Sequence, residues 1–183
     1  MRRIYESRAL HRDDDDPFSP NDGDDRPQAM RSLNATALSR LLVPDRLRRR
    51  AVSVAVSTPR AEYPVDTPVP FSVTMKNALP FPVAIRTTSP VGWTWHVDGV
   101  PEASHVPLRD PPDEPGEFVF DRGERKQFTR RWQGVFRVDD AEWERAAPGE
   151  YVIGAGLNVE DAREAGLYDE TTVRLVAETA DEN

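Results

Sequence analysis

The chain has 183 residues, no cysteine, and 32 acidic against 24 basic residues, for a net charge of −8. The missing thiols exclude disulfides, thiolate metal centres and cysteine nucleophiles, and no run of residues nears the roughly 18 consecutive apolar positions that span a bilayer. Only Lys76 and Lys126 are lysines, every other basic side chain being arginine; an acidic, arginine-rich chain is the composition expected of a protein from a salt-loving archaeon, read here as cytoplasmic.

Residues 1–27 are expected to be a disordered acidic tail. "DDDDPFSPNDGDD", Asp13 to Asp25, carries seven aspartates and no basic residue, so self-repulsion and lack of apolar surface oppose folding. It lacks the spaced ligands and turn glycine of a calcium loop, and no metal site is assigned to it. In residues 28–50, Leu33, Ala37, Leu38, Leu41 and Leu42 recur at helical spacing behind Ser32 or Asn34, and Pro44 ends or kinks that helix. The segment closes on "RLRRR". Arg40, Arg46, Arg48, Arg49 and Arg50 form the candidate anion-binding set; an acidic partner within this chain is favoured over nucleic acid, whose phosphate contacts weaken steeply with salt.

From residue 51 the apolar period shortens to two. Val52, Val54 and Val56 alternate with Ser53, Ala55 and Ser57, and Phe71, Val73 and Met75 with Ser72, Thr74 and Lys76; Phe81, Val83 and Ile85 then alternate, as do Trp93, Trp95 and Val97. Phe118 and Phe120 make a shorter pair, Phe128 opens "FTRRW", and Tyr151, Ile153, Ala155 and Leu157 precede a last strand with Val173 and Leu175 facing inward. About seven to eight short strands broken by Pro, Gly, Asp and Asn turns predict an all-β antiparallel sandwich over residues 51–178, with 179–183 as a tail. One short helix is expected in "EDAREAGLYD", ended by Gly166.

In "PVGWTWHVDG" the strand period sends Trp93, Trp95 and Val97 to one face and Thr94, His96 and Asp98 to the other. The two indoles are assigned to the core, because burying one is worth roughly 4 to 6 kcal/mol as an upper bound; His96 is assigned to the outside. Two histidines in the domain, His96 and His105, without ligand spacing do not make a zinc site, and no nucleophile-elbow motif is present. No catalytic residue, metal or cofactor is therefore assigned. The segment Val100 to Glu117 is long and proline-rich, and stiffness lowers the cost of presenting an extended segment to a partner. Its candidate partner-binding residues are Val106, Leu108 and Arg109.

Three segments resemble, in order, the BsuPI-type intracellular proteinase inhibitor domain: "PFSVTMKNALPFPVAI", "WTWHVDG", and "FDRGERKQFTRRW" followed by "APGEYVIGAGL". The matching positions, Asn77, Trp93, Trp95, Gly123, Trp132, Pro148, Gly149 and Tyr151, are ones that set turns and core. The resemblance implies an immunoglobulin-like sandwich without catalytic residues, in a family whose named member inhibits an intracellular serine protease. The expectation is a noncatalytic module that binds a protein partner, a subtilisin-like protease being the partner the resemblance suggests; binding of nucleic acid or ribosome through the arginine cluster is the alternative, and an enzyme the least favoured reading.

Overall fold

The computed structural model describes residues 49–177, and these form two main sheets packed face to face, antiparallel but for one short strand, with accessory strand pairs. The acidic tail and nearly all of the predicted N-terminal helix lie outside the described residues. So do Arg40, Arg46 and Arg48.

One sheet runs β1 (Val52–Ser57), β3 (Val69–Asn77), β8 (Arg125–Trp132). The other runs β2 (Glu62–Pro64), β12 (Tyr168–Val176), β11 (Gly149–Leu157), β5 (Trp93–Val97), β6 (Val100–Pro101). A separate pair joins β4 (Val83–Thr87) to β7 (Gly116–Phe120), and a hairpin joins β9 (Val135–Arg137) to β10 (Trp143–Arg145). The first strand of the domain is divided between the sheets, β1 antiparallel to β3 and β2 parallel to β12. With the central orders β1-β3-β8 and β12-β11-β5, this is the strand arrangement of an immunoglobulin-like sandwich. A tyrosine corner supports it: Tyr151, near the start of β11, donates its hydroxyl to the carbonyl of Ala147 at 2.8 Å.

Alternation puts the expected side chains inside. Phe71, Val73 and Met75 of β3 face Ile153, Ala155 and Leu157 of β11 across a core in which all six are buried. Aromatic pairs bridge the layers: Phe71 to Trp95 with ring centroids 5.2 Å apart, Trp93 to Phe128 at 4.7 Å, and Trp132 to Tyr151 at 4.9 Å. Trp132 is the indole most deeply sunk in this core, and its Nε1 donates to the carbonyl of Val135 at 2.9 Å. Trp93 and Trp95, assigned to the core by pattern, are only half-buried and pack against its edge. The reason is their place on β5, beside the sheet edge formed by the two-residue β6, where Trp93 is covered by Phe128 and by the guanidinium of Arg130 at 5.2 Å.

Asn77 is fully buried and ties two turns together. Its Nδ2 donates to the carbonyls of Phe81 and Asp121, each at 2.9 Å, and its Oδ1 accepts the amide of Leu79. The helix expected in "EDAREAGLYD" is instead one closed turn. Ala165 bonds back to Asp161, Leu167 to Ala162 and Gly166 to Arg163, and Gly166 has φ of 72°. That is the C-terminal cap predicted for Gly166, in the Schellman arrangement, but Asp161 is left-handed at φ of 53°, so only the turn that the cap closes can wind between it and Gly166.

Candidate functional site

The proline-rich segment is anchored at its start by two tight turns. Asp98 and Gly99, at φ of 49° and 81°, join β5 to β6, and an Asp-Gly pair is the residue choice that such a left-handed hairpin turn favours. The second turn uses Glu102 and Ala103, both with φ above 50°, a conformation that non-glycine residues adopt at a cost and keep only when the surroundings hold them. The surroundings here are specific: Ala103 is buried, its carbonyl accepts the amide of Arg137, His105 N–H donates to the carbonyl of Arg137, and the Ser104 hydroxyl donates to the carbonyl of Val106 at 2.6 Å. The loop is thereby sewn to β9 before it runs on to β7.

Beyond that anchor the loop forms one wall of an open groove of about 510 Å³. Val106, Leu108 and Arg109, picked from the sequence, all line it; Val106 is half-buried and Leu108 is 46% exposed. The guanidinium of Arg109 meets the carboxylate of Glu102 at 2.7 Å, closing the loop on itself. The opposite wall comes from elements that the sequence did not bring together: Ser89 and Val91 before β5, Thr94 on β5, and Asn158 just after β11. Asn158 orders that wall, its Nδ2 donating to the carbonyl of Val91 and to the Thr94 hydroxyl at 2.8 and 2.9 Å. No local motif marks these residues as neighbours, since they lie more than 60 positions apart.

Chemically the groove is mostly apolar with a few polar groups, and its volume falls in the range of ordinary binding clefts. Among the described residues no group of three or more His, Asp or Glu side chains is placed to hold a metal ion. His96 lies on β5 but does not line the groove, and it is not simply outside as the alternation suggested. Its Nδ1 is buried without a hydrogen-bond partner among the described residues, and burial, then the positive charge of Arg163, push its pKa below the usual histidine value against a smaller opposing pull from Glu102.

Of the arginine cluster, Arg49 and Arg50 are described. Arg49 donates from Nη1 to the carbonyl of Glu160 at 3.1 Å and borders a second cleft with Arg86, Thr88 and Pro115. Arg49 is thus turned onto the sandwich itself. No helix among the described residues is long and apolar enough to cross a membrane.

Among solved structures, the chain is similar to the CARDB domain of a Pyrococcus furiosus protein, solved in complex with di-metal ions, at 16% identity and a TM-score of 0.44 over 69% of this chain and 94% of that one. It is also similar to a β-glucosidase from Erythrobacter marinus (17% identity, TM-score 0.43, 68% of this chain and 15% of that one). A third is the Pseudomonas fluorescens alkylpurine DNA glycosylase bound to DNA containing an abasic site analogue (17% identity, TM-score 0.42, 81% and 36%). At these identities and TM-scores none of them transfers an activity. No curated protein matches the chain in sequence. A family model does match, over residues 40–176, which takes in the whole described sandwich, and the chain belongs to that family of unknown function, DUF7974.

Proposed function

We propose that this domain is a noncatalytic protein-interaction module that holds an extended segment of a partner protein in the groove beside β5, in a cytoplasm of high salt. One observation carries the reading: the residues of the proline-rich loop that have something to bind with, Val106, Leu108 and Arg109, converge on a single groove whose wall is held by the Glu102–Arg109 pair and by the bonds to Arg137. Such a wall is ordered before a partner arrives, so little conformational entropy remains to be lost on binding. At molar salt, where the Debye length is about 3 Å, an apolar groove keeps its affinity while long-range charge steering fades. A subtilisin-like serine protease remains the partner class that the inhibitor resemblance suggests.

The test is capture of partners from native high-salt lysate, with nuclease treatment in parallel, using the full chain and its Leu108→Asp variant. The reading requires a protein retained by the parent chain, unaffected by nuclease and lost with Leu108→Asp; loss of every partner after nuclease sinks it in favour of nucleic-acid binding. Titration against a halophilic subtilisin-like protease separates inhibition from binding of other proteins. Unchanged protease activity at stoichiometric excess removes the inhibitor version.

A further inference from the structure

The outer face of the β1-β3-β8 sheet is unlike the rest of this acidic molecule. The register aligns Ser53, Lys76 and Arg125 in one row across the three strands, and Ser57, Ser72 and Thr129 in another. Arg131 stands opposite Pro70 at the far corner. Between these rows lie Ala55, Thr74 and Gln127. No aspartate or glutamate occupies the outward positions of these strands, although the chain as a whole carries a charge of −8. The result is a flat surface of hydroxyls and small side chains with three exposed cations at its ends.

Lys76 and Arg125 face each other directly across β3 and β8. Like charges directly opposed on a sheet are destabilising, and the ion pairs formed among the described residues use other cations, Lys126, Arg137, Arg145 and Arg174 among them. A local arrangement that costs stability without a visible return marks a surface built for something else. Among the described residues no anion meets these cations.

We propose that this face is the docking surface for the chain's own aspartate-rich segment, Asp13 to Asp25. The charges are complementary: seven aspartates and no basic residue on the segment, three cations and no carboxylate on the face. The attachment is also well placed, because the described chain begins at Arg49 and runs into β1 at Val52, next to the Ser53–Lys76–Arg125 row. The 23 residues between Asp25 and Arg49 would reach roughly 24 to 29 Å as a flexible chain, and about as far if residues 33–42 form the expected helix of about 15 Å, close to the roughly 26 Å length of the eight-residue β8. A tether of that length gives an effective concentration near the millimolar range, so a weak polar contact suffices. Backbone and side-chain acceptors of the segment can meet the hydroxyl rows, while its carboxylates meet the cations at either end. Because the contact is electrostatic and exposed, it weakens as ionic strength rises, so low salt is where it is measured. The groove lies on the other sheet, so this inference stands or falls separately from the binding reading above.

The chain has no cysteine, so a Ser19→Cys variant of the full chain carries a spin label at one place. Nuclear magnetic resonance at about 0.1 M salt should then show at least twofold loss of amide intensity at Lys76, Arg125 and Thr129, with recovery at about 2 M salt. Lys76→Glu puts a carboxylate opposite Arg125, which favours the fold while removing the cationic pair, and should abolish the broadening. Broadening that is absent, that centres on the groove, or that persists in high salt or in Lys76→Glu overturns the proposal. Mixing spin-labelled chain with isotope-labelled, spin-free chain gives the remaining outcome: broadening between molecules overturns docking within one chain and assigns the face to a second copy.

Discussion

Arg109 reaches back seven residues to grip Glu102 at 2.7 Å, so the loop that walls the groove is closed by a single ion pair between its own side chains. Arg109 is 59% exposed and Glu102 is 16% exposed; pairs this accessible contribute at most about 1 kcal/mol to stability. Their work is to hold Leu108 and Val106 in place. Arg109→Ala should leave the unfolding free energy within about 1 kcal/mol of the parent while raising amide exchange across 106–111, and it should weaken partner binding about tenfold. Hydrogen exchange and a binding isotherm check the two halves; a large fall in stability with unchanged exchange refutes the assignment.

Asn77 is a different kind of polar residue, fully buried with three bonds to two turns. Asn77→Ala leaves two carbonyls and one amide without their partner, at roughly 1 to 3 kcal/mol for each group that stays dry. The expected loss is about 3 kcal/mol or more, or roughly 10 °C in Tm for a domain of this size. Asn77→Asp keeps the shape and the acceptor but faces a carboxylate toward the carbonyls of Phe81 and Asp121, and should be no better tolerated. Calorimetry decides; a shift below about 2 °C for either variant contradicts the pinning role.

Tyr168 lies across the glycines of β11, and the two glycines differ in what they would strike. A Cβ at Gly154 meets the hydroxyl end of the Tyr168 ring, which can swing away, whereas a Cβ at Gly156 lies 2.8 Å from the backbone carbonyl oxygen of Leu167, which cannot. Gly156→Ala should cost about 1 to 3 kcal/mol and Gly154→Ala less. Adding Tyr168→Ala should remove the cost at Gly154 but not at Gly156. Denaturant unfolding of the five variants, the Tyr168→Ala single included, checks this double-mutant relation.

His96 ties stability to pH. Its folded pKa is lowered, first by burial and then by Arg163, so the unfolded chain binds the proton more tightly. Stability from this group is therefore fully present above the ordinary histidine value of about 6.5 and is lost as pH falls through the lowered folded value. The imidazolium donates from both ring nitrogens, and Nδ1 is buried with no partner among the described residues. His96→Gln should flatten that part of the stability profile between about pH 7 and pH 5. Denaturant midpoints across that range test it, and equal slopes for parent and variant would exclude His96 as the source.

Eight of the strands could be read from alternation because each is five residues or longer, long enough for two or more inward apolar positions to show. β2, β6, β9 and β10 have two or three residues each, too few for a period to declare itself. They exist because neighbouring strands offer them partners: Tyr63 pairs with Leu175, Val100 with Val97, and Phe136 with Glu144. The same reason explains the exposure of the tryptophans on β5. Alternation assigns a side chain to a face, but how deeply that face is covered depends on which strands flank it, and β5 is followed only by β6 toward the sheet edge.

The amino-acid sequence by itself determined the all-β class, the inward residues of the long strands, the cap at Gly166, and the placement of Val106, Leu108 and Arg109 in a loop, because these follow from local period, turn chemistry and composition. Tertiary structure alone decided that those loop residues face Ser89, Thr94 and Asn158 across a groove, that His96 Nδ1 is buried with no hydrogen-bond partner among the described residues, and that Lys76 stands against Arg125. Each of those depends on strand order and register, which join residues distant in the chain and leave no trace in any short stretch of it.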